Sequence, residues 1–385
     1  MGCVFVIQGM VNRMEKTWQE LLKTSIRSAQ ALAEEFGFSK EEKERLEILT
    51  QQYPVCINPY YLGLIDKNDP DDPIRKMAVP DVKEFAPGGS FDTSGEADNT
   101  KIKGMQHKYK QTALILSTNQ CAMYCRHCFR KRLVGLSDEE VASHLPEMIR
   151  YVEEHTEINN VLISGGDAFL NSTGKLRQYL EYFTGIPHLD FIRFGTRVPV
   201  VLPQRIYEDE ALLQFLKEYG MKKQIIIVTQ FNHPREITAA SVRALRALRE
   251  SGCVIRNQTV LLKGVNDDST VLAQLQNLLV AHGVIPYYIF QCRPVSGVKN
   301  QFQVPFLRAL RVVEEAKAGM NGQAKSVRFM MSHPSGKIEI LGPLSKDQFL
   351  FRYHQFKYEK DASRMFTASI KEDHTWLNEN LEGVS

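Results

Sequence analysis

Residues 113–132 read ALILSTNQCAMYCRHCFRKR. An apolar run of strand length, Ala113–Ser117, leads directly into three cysteines spaced C-x3-C-x2-C: Cys121, Cys125 and Cys128. Three thiolates at this spacing can hold three irons of a cubane [4Fe-4S] cluster. Such a cluster normally takes four cysteines, so one iron would keep a position open to another ligand. A zinc site is the competing reading. Zinc takes four ligands, usually from two Cys/His pairs. Here His127 lies inside the loop, and no second C-x2-C or H-x3-H pair exists. Three unrelated thiols are the remaining alternative.

Outward from this stretch, short apolar or β-branched runs alternate with helical segments. After Ala113–Ser117 come Val161–Ser164, Phe191–Thr196, Gln224–Gln230, Gln258–Leu262 and Tyr287–Gln291. Amphipathic segments such as Ser137–His155 and Ile237–Ser251 lie between them, and Ser137 with Glu140 reads as a capping box. Strand-helix alternation over this length predicts an α/β fold with a parallel sheet and helices outside it. Six units are too few for a closed eight-stranded barrel, so the expected architecture is a partial (β/α)6 TIM-like barrel. An open doubly wound sheet is the competing one. In a parallel barrel the active site forms at the C-terminal strand ends, where the cysteine loop lies.

Residues 12–52 read as helical, with Ser39 and Glu42 capping a helix from Lys40 to about Gln51. Residues 86–104, rich in Gly, Ser and Asp without apolar period, form the best linker candidate. The expected division is an N-terminal helical region and linker (1–104), the partial barrel (105–325) and a C-terminal extension (326–385). In the extension, Val327–Ser332 and Lys337–Leu341 read as two strands joined at His333–Gly336, ahead of an aromatic, charged tail suited to packing or oligomer contacts. The first ten residues lack a basic start and a cleavage site, and read as a tail or packing segment. The net charge of +3 over 385 residues is small and spread out, which argues against a nucleic-acid face. No apolar stretch is long enough to span a bilayer. Cys3, Cys56, Cys253 and Cys292 are scattered singly, which suits a reducing cytoplasm.

The cysteine spacing is that of the radical SAM superfamily, and the whole chain resembles the lysine 2,3-aminomutase family. The resemblance covers about residues 55–340. Its anchors are INPYYLGLID (57–66), DPIRKMAVP (72–80), CAMYCRHCFRKR (121–132), VLISGGDAFL (161–170), RFGTRVPVVLPQRI (193–206), FNHPREIT (231–238), NQTVLLKGVND (257–267) and PYYIFQC (286–292). It implies an isomerase that moves an α-amino group to the β-carbon. The implied cofactors are a [4Fe-4S] cluster on Cys121, Cys125 and Cys128, S-adenosyl-L-methionine (SAM) and pyridoxal 5′-phosphate (PLP). It also implies a small amino-acid substrate, a homo-oligomer, and an electron donor such as flavodoxin or ferredoxin. Some members carry a C-terminal zinc site; this chain has no cysteine after Cys292, and none is expected here.

Carried over residue by residue, the resemblance puts Ser164, Gly165, Gly166 and Asp167 near SAM. Glycines there let backbone approach a ligand closely, and Asp167 can accept from a cationic amine; the plainer reading is a strand-to-helix turn capped by Asp167. Arg130 is assigned to the substrate α-carboxylate, which a guanidinium suits, while Arg126, Lys131 and Arg132 read as surface or cluster-neighbouring charge. Lys108 and Tyr109 fall where the family supplies an Arg and a Tyr to the PLP phosphate, but Thr112 replaces a second family Arg. Gln258 matches a residue of the cofactor region, with a satisfied buried amide as the plainer reading. Lys337, after Pro334-Ser335-Gly336, is the candidate PLP lysine, in a loop shorter than the family's.

Substrate choice is where the chain departs most. Lysine-specific members use two aspartates against the side-chain ammonium. The first position is Arg293 here, and the second falls in Met330–His333, which has no carboxylate. An arginine repels an ammonium and attracts a carboxylate, so the expectation is an acidic or neutral side chain, with glutamate leading. Lysine 2,3-aminomutase proper, a PLP-independent radical SAM enzyme and a non-catalytic iron-sulfur or zinc scaffold are the alternatives.

Overall fold

The computed structural model describes residues 16–385; the segment 1–10 and Cys3, discussed above, lie outside the described residues. Twelve strands form one sheet in chain order. They are β1 (Thr100–Ile102), β2 (Met105–Tyr109), β3 (Thr112–Leu116), β4 (Asn160–Ser164), β5 (Phe191–Gly195), β6 (Gln224–Thr229), β7 (Val254–Leu261), β8 (Ile285–Gln291), β9 (Arg328–His333), β10 (Gly336–Pro343), β11 (Gln348–Phe356) and β12 (Met365–Ser369). From β3 to β9 every pair is parallel; the flanking pairs are antiparallel.

Helices 145–154, 173–184, 210–220, 239–250, 269–281 and 306–319 return the chain between the seven parallel strands. A strand order that never reverses carries its crossovers on one face, since such connections are right-handed. It also excludes the doubly wound arrangement, whose order reverses at a switch point. β1 and β12 are free edges, so the barrel is partial and open. The six expected strands are β3–β8. β9 adds a seventh, because the 306–319 helix returns the chain parallel to β8 before the hairpin to β10.

Alternation along the strands explains how one sheet serves two faces. Val161, Ile163, Ile192, Phe194, Ile225 and Ile227 are fully buried against helix residues such as Leu176, Phe183, Leu216 and Leu248. The alternate residues, among them Leu162, Ser164, Arg193, Val228 and Gln258, line an internal cavity.

Several local expectations change. Of the expected 12–52 helical stretch, residues 12–15 lie outside the described residues, and the rest holds three helices, Trp18–Lys23, Ala29–Phe36 and Lys40–Gln52, the last with the expected Ser39/Glu42 box. Ile26 leaves the helical path to bridge Ile57, which bridges Met123 of the cysteine loop. The Ser137/Glu140 box does not form. The helix begins at Leu145, because Arg132 takes the Glu140 carboxylate and Ser137 caps only the turn at Glu139. The expected linker is a strap. Ser90 bridges Val295, Asn300 donates to the carbonyls of Ala86 and Pro87, and Asp92 accepts from the backbone of Ser94, Glu96 and Ala97.

The aromatic tail is core. Phe351 of β11 is fully buried, with ring centroids 5.3 Å from Phe366 and 6.1 Å from Phe306. Phe351→Ala should therefore lower unfolding free energy by about 3–5 kcal/mol in urea titration. A loss under about 1 kcal/mol would show that the tail strand is not part of the cooperative unit.

Candidate active site

The cavity holds about 340 Å³ and lies at the C-terminal ends of the parallel strands. Every residue the resemblance assigned to cluster, cofactor or substrate lines it: Cys121, Cys125, Cys128, Ser164, Gly165, Gly166, Asp167, Lys108, Tyr109, Gln258, Arg130, Arg293 and Lys337.

The cysteine loop is held by main-chain stitches. Tyr124 N–H donates to the Cys56 carbonyl (3.0 Å), Arg126 N–H to the Met77 carbonyl (2.9 Å), and the Asn58 amide to the carbonyls of Ala122 (3.1 Å) and Val201 (2.8 Å). These contacts account for the INPYY and DPIRKMAVP segments. Arg126 and Lys131 are not surface charges. Both are buried and share the buried Glu84 carboxylate. Burial alone would push Glu84 up, but the two cations outweigh it and hold its pKa below the usual value.

Glycines at 165 and 166 serve the loop as well as any ligand. A Cβ on Gly165, at φ +120°, would stand 2.3 Å from the Thr118 carbonyl, and one on Gly166 2.4 Å from that of Gln120. Their absence lets Gly166 and Asp167 N–H donate to those same two carbonyls. The Asp167 carboxylate caps the following turn and accepts from Phe169 N–H, Thr196 Oγ1 (2.6 Å) and Arg197 N–H (2.7 Å). Asp167 thus builds the turn, and its oxygens are committed to protein donors.

Burial pushes the Cys121 thiol well up and the Cys128 thiol up to about 11. Anionic sulfur there needs a positive partner, which iron supplies. Among the described residues, no three His, Cys, Asp or Glu side chains stand close enough to share one metal ion.

Lys337 lies on β10. Its Nζ donates to Gln355 Oε1 (2.8 Å) and sits 5.4 Å from each of the Tyr109 and Tyr288 ring centroids. Burial, then Arg193, Lys108 and Arg293, lower its pKa to about 7, which leaves much of the amine free to act as a nucleophile at neutral pH. Gly336 is required beside it, since a Cβ would stand 2.2 Å from the Gln355 carbonyl of β11. The turn before it is a two-residue hairpin, Pro334-Ser335, closed by His333 opposite Gly336.

Lys108 donates to the carbonyls of His333 (2.8 Å) and Ser94 (3.2 Å), and burial lowers its pKa to about 7. Beside Thr112, where the resemblance implied a missing arginine, a guanidinium is present. Arg193 of β5 donates to Asn160 Oδ1 (2.6 Å) and Thr112 Oγ1 (3.4 Å), lines the cavity, and keeps a buried, unpartnered Nε. Gln258 faces the cavity, while the satisfied buried amide of that segment is Asn257.

Arg130 binds Glu96 through Nε and Nη2 (both 3.0 Å), with Nη1 on Ser164 Oγ (3.1 Å). Glu96 also pairs with Arg132, and burial of the carboxyl is outweighed by the two arginines, which draw its pKa to about 2. Arg293 stacks 4.4 Å from the Phe129 ring centroid and donates Nη2 to Ser332 Oγ (2.7 Å), but its Nη1 is buried without a partner. Burial lowers its pKa to about 10, against the pull of Glu96. Glu96 and Gln355 escaped the sequence reading, while Arg193, Tyr288 and Ser332 stood in quoted stretches without a role. The signal that could have found Arg193 is its place within a quoted anchor, on a strand face shared with Gly195.

Residues 115–274 match the Radical SAM superfamily model, which places fold and cysteine loop in one enzyme class. Within it, a putative L-lysine 2,3-aminomutase of Aquifex aeolicus is 38% identical over 348 residues, 90% of this chain and 92% of its own. The L-lysine 2,3-aminomutase of Clostridium subterminale is 37% identical over 322 residues (83% and 76%). The glutamate 2,3-aminomutase of Clostridioides difficile is 35% identical over 335 residues (86% and 78%). The chain belongs to the lysine 2,3-aminomutase family: it is a radical SAM aminomutase, an isomerase.

A buried lysine of this kind has a measurable signature. Pulse acylation of the PLP-free protein followed by peptide mapping should give a Lys337 rate that rises with pH and is half-maximal near pH 7, while exposed lysines continue to rise toward pH 10. A Lys337 midpoint near 10 would show that the cavity does not suppress the ammonium.

Proposed function

We propose that this aminomutase uses PLP at Lys337 and moves the amino group from carbon 2 to carbon 3 of an amino acid with an acidic side chain, glutamate being the leading substrate. The observation that carries the reading is Arg293, which lines the cavity and whose Nη1 is buried without a partner. A carboxylate oxygen is the partner such a nitrogen lacks, and a charge-assisted bond there is worth more than a neutral one. An ammonium finds no equivalent. Among the described residues, Glu96 and Asp167 are the only carboxylates lining the cavity, and both are committed to protein donors.

The cluster on Cys121, Cys125 and Cys128 would supply the electron that opens SAM to a 5′-deoxyadenosyl radical, and PLP an extended π system that spreads an unpaired electron. This chain's residues do the rest. Lys337 offers a largely neutral amine steadied by Gln355, so its bond to the cofactor can be made and exchanged near pH 7. Tyr109 and Tyr288 flank that amine, and Lys108 and Arg193 are the cations available to a phosphate. Arg130, oriented by Glu96 and Ser164, takes the α-carboxylate; Arg293, oriented by Ser332 and Phe129, takes the side-chain carboxylate. The strap at 90–99 helps exclude water. No described helix is long and apolar enough to cross a membrane. We place the enzyme in the cytoplasm as a homo-oligomer served by a one-electron donor of the flavodoxin or ferredoxin kind.

Anaerobic turnover of glutamate and lysine by the unaltered protein and Arg293→Asp tests this. Arg293→Asp should lower kcat/KM for glutamate by about 10²–10³-fold, roughly 3–4 kcal/mol, and raise it for lysine. Efficient lysine turnover by the unaltered protein, with none on glutamate, sinks the substrate assignment.

A further inference from the structure

One closely held side chain of the cavity has no part in the proposed binding of substrate or PLP. Arg197, just past β5, donates Nη1 to Cys125 Sγ (2.9 Å), Nε to the Gln230 carbonyl (2.9 Å) and Nη2 to Glu236 Oε1 (2.5 Å). Glu236 is fully buried and itself fixed. Tyr61 Oη donates to its Oε1 (2.6 Å), while Asn232 N–H (2.7 Å) and His233 N–H (3.1 Å) donate to Oε2. The guanidinium is therefore pinned on two sides, with one N–H aimed at one of the three sulfurs. Of the three cysteines, Cys125 is the one that receives this charged donor.

Hydrogen bonds to cluster sulfurs and the net charge around a cluster are main determinants of its reduction potential. An N–H held against a ligating sulfur favours the state in which that sulfur carries more negative charge, and reduction adds one electron. Burial magnifies the effect, because solvent does not screen it. Glu236 neutralises the guanidinium in the far field but leaves the short N–H···S contact in place.

We propose that Arg197 tunes the cluster: its fixed N–H···S bond to Cys125 raises the potential at which the cluster accepts one electron, and Glu236 and Tyr61 are the positioning residues that hold that bond. The inference concerns the cysteine loop and its cluster alone, and stands whether or not PLP and glutamate are assigned correctly. The competing account is that Arg197 only braces the end of β5 against the loop.

The test is a potentiometric titration of anaerobically reconstituted protein with dithionite, in which the oxidised cluster takes up one electron. The reduced cluster is followed by electron paramagnetic resonance, and the signal is normalised to iron content. Arg197→Gln should shift the midpoint to lower potential, and Arg197→Lys, which keeps the charge but not the planar donor geometry, should shift it in the same direction by less. A bracing role would change iron content or thermal stability and leave the midpoint of the remaining clusters alone. Arg197→Gln with a full cluster and an unaltered midpoint overturns the proposal. If Arg197→Gln holds no cluster, an unaltered midpoint in Arg197→Lys overturns it equally.

Discussion

Unbalanced buried positive charge is the constraint on which the rest of this structure depends. Besides Arg197, which Glu236 neutralises, the cations Lys108, Arg130, Arg193, Arg293 and Lys337 face one cavity. Two like charges 4 Å apart at an effective dielectric of about 20 repel by about 4 kcal/mol. The structure meets this in two ways. The strap carries Glu96 in to hold Arg130 and Arg132, and the two lysines shed protons more readily, with pKa values near 7. What stays uncompensated is the Nη1 of Arg293 and the Nε of Arg193, the two places where the proposed function calls for an anion.

The strands can hold such a charge set because their outer rows do the folding. Aliphatic residues alternate toward the helices and form one continuous core, so the inner rows are free to be small, polar or charged. The chain uses this freedom at the C-terminal strand ends, where β3 delivers the cysteine loop, β4 the glycine turn and β5 Arg197. Asp167 ties the three together, since its turn rests on the cysteine-loop carbonyls while its carboxylate receives Thr196 and Arg197.

Much of this was legible in the sequence, for physical reasons that differ by element. The strands β3–β8 announce themselves as apolar runs between amphipathic helices, and the C-x3-C-x2-C spacing is specific enough to name a cluster. Lys337 and Arg293 were legible only through resemblance, because a loop lysine or arginine has no local signature. The strap was misread as a linker, since its order comes from long-range contacts such as Ser90 with Val295 and not from any apolar period. Glu140 read as a helix cap because its pull toward Arg132 is tertiary. Arg193 reaches Thr112 from β5, two strands over in the sheet and 81 positions away in sequence, a distance over which motif reading is blind.

The account's central claim is that one cavity joins the cluster's radical chemistry to an amino acid held by arginines. The most direct test is label transfer: reconstituted protein, SAM, PLP and dithionite with glutamate deuterated at carbon 3, held without oxygen. The account predicts deuterium in 5′-deoxyadenosine together with a β-amino acid product. Cleavage of SAM that leaves 5′-deoxyadenosine unlabelled, with no β-amino acid formed, would contradict it.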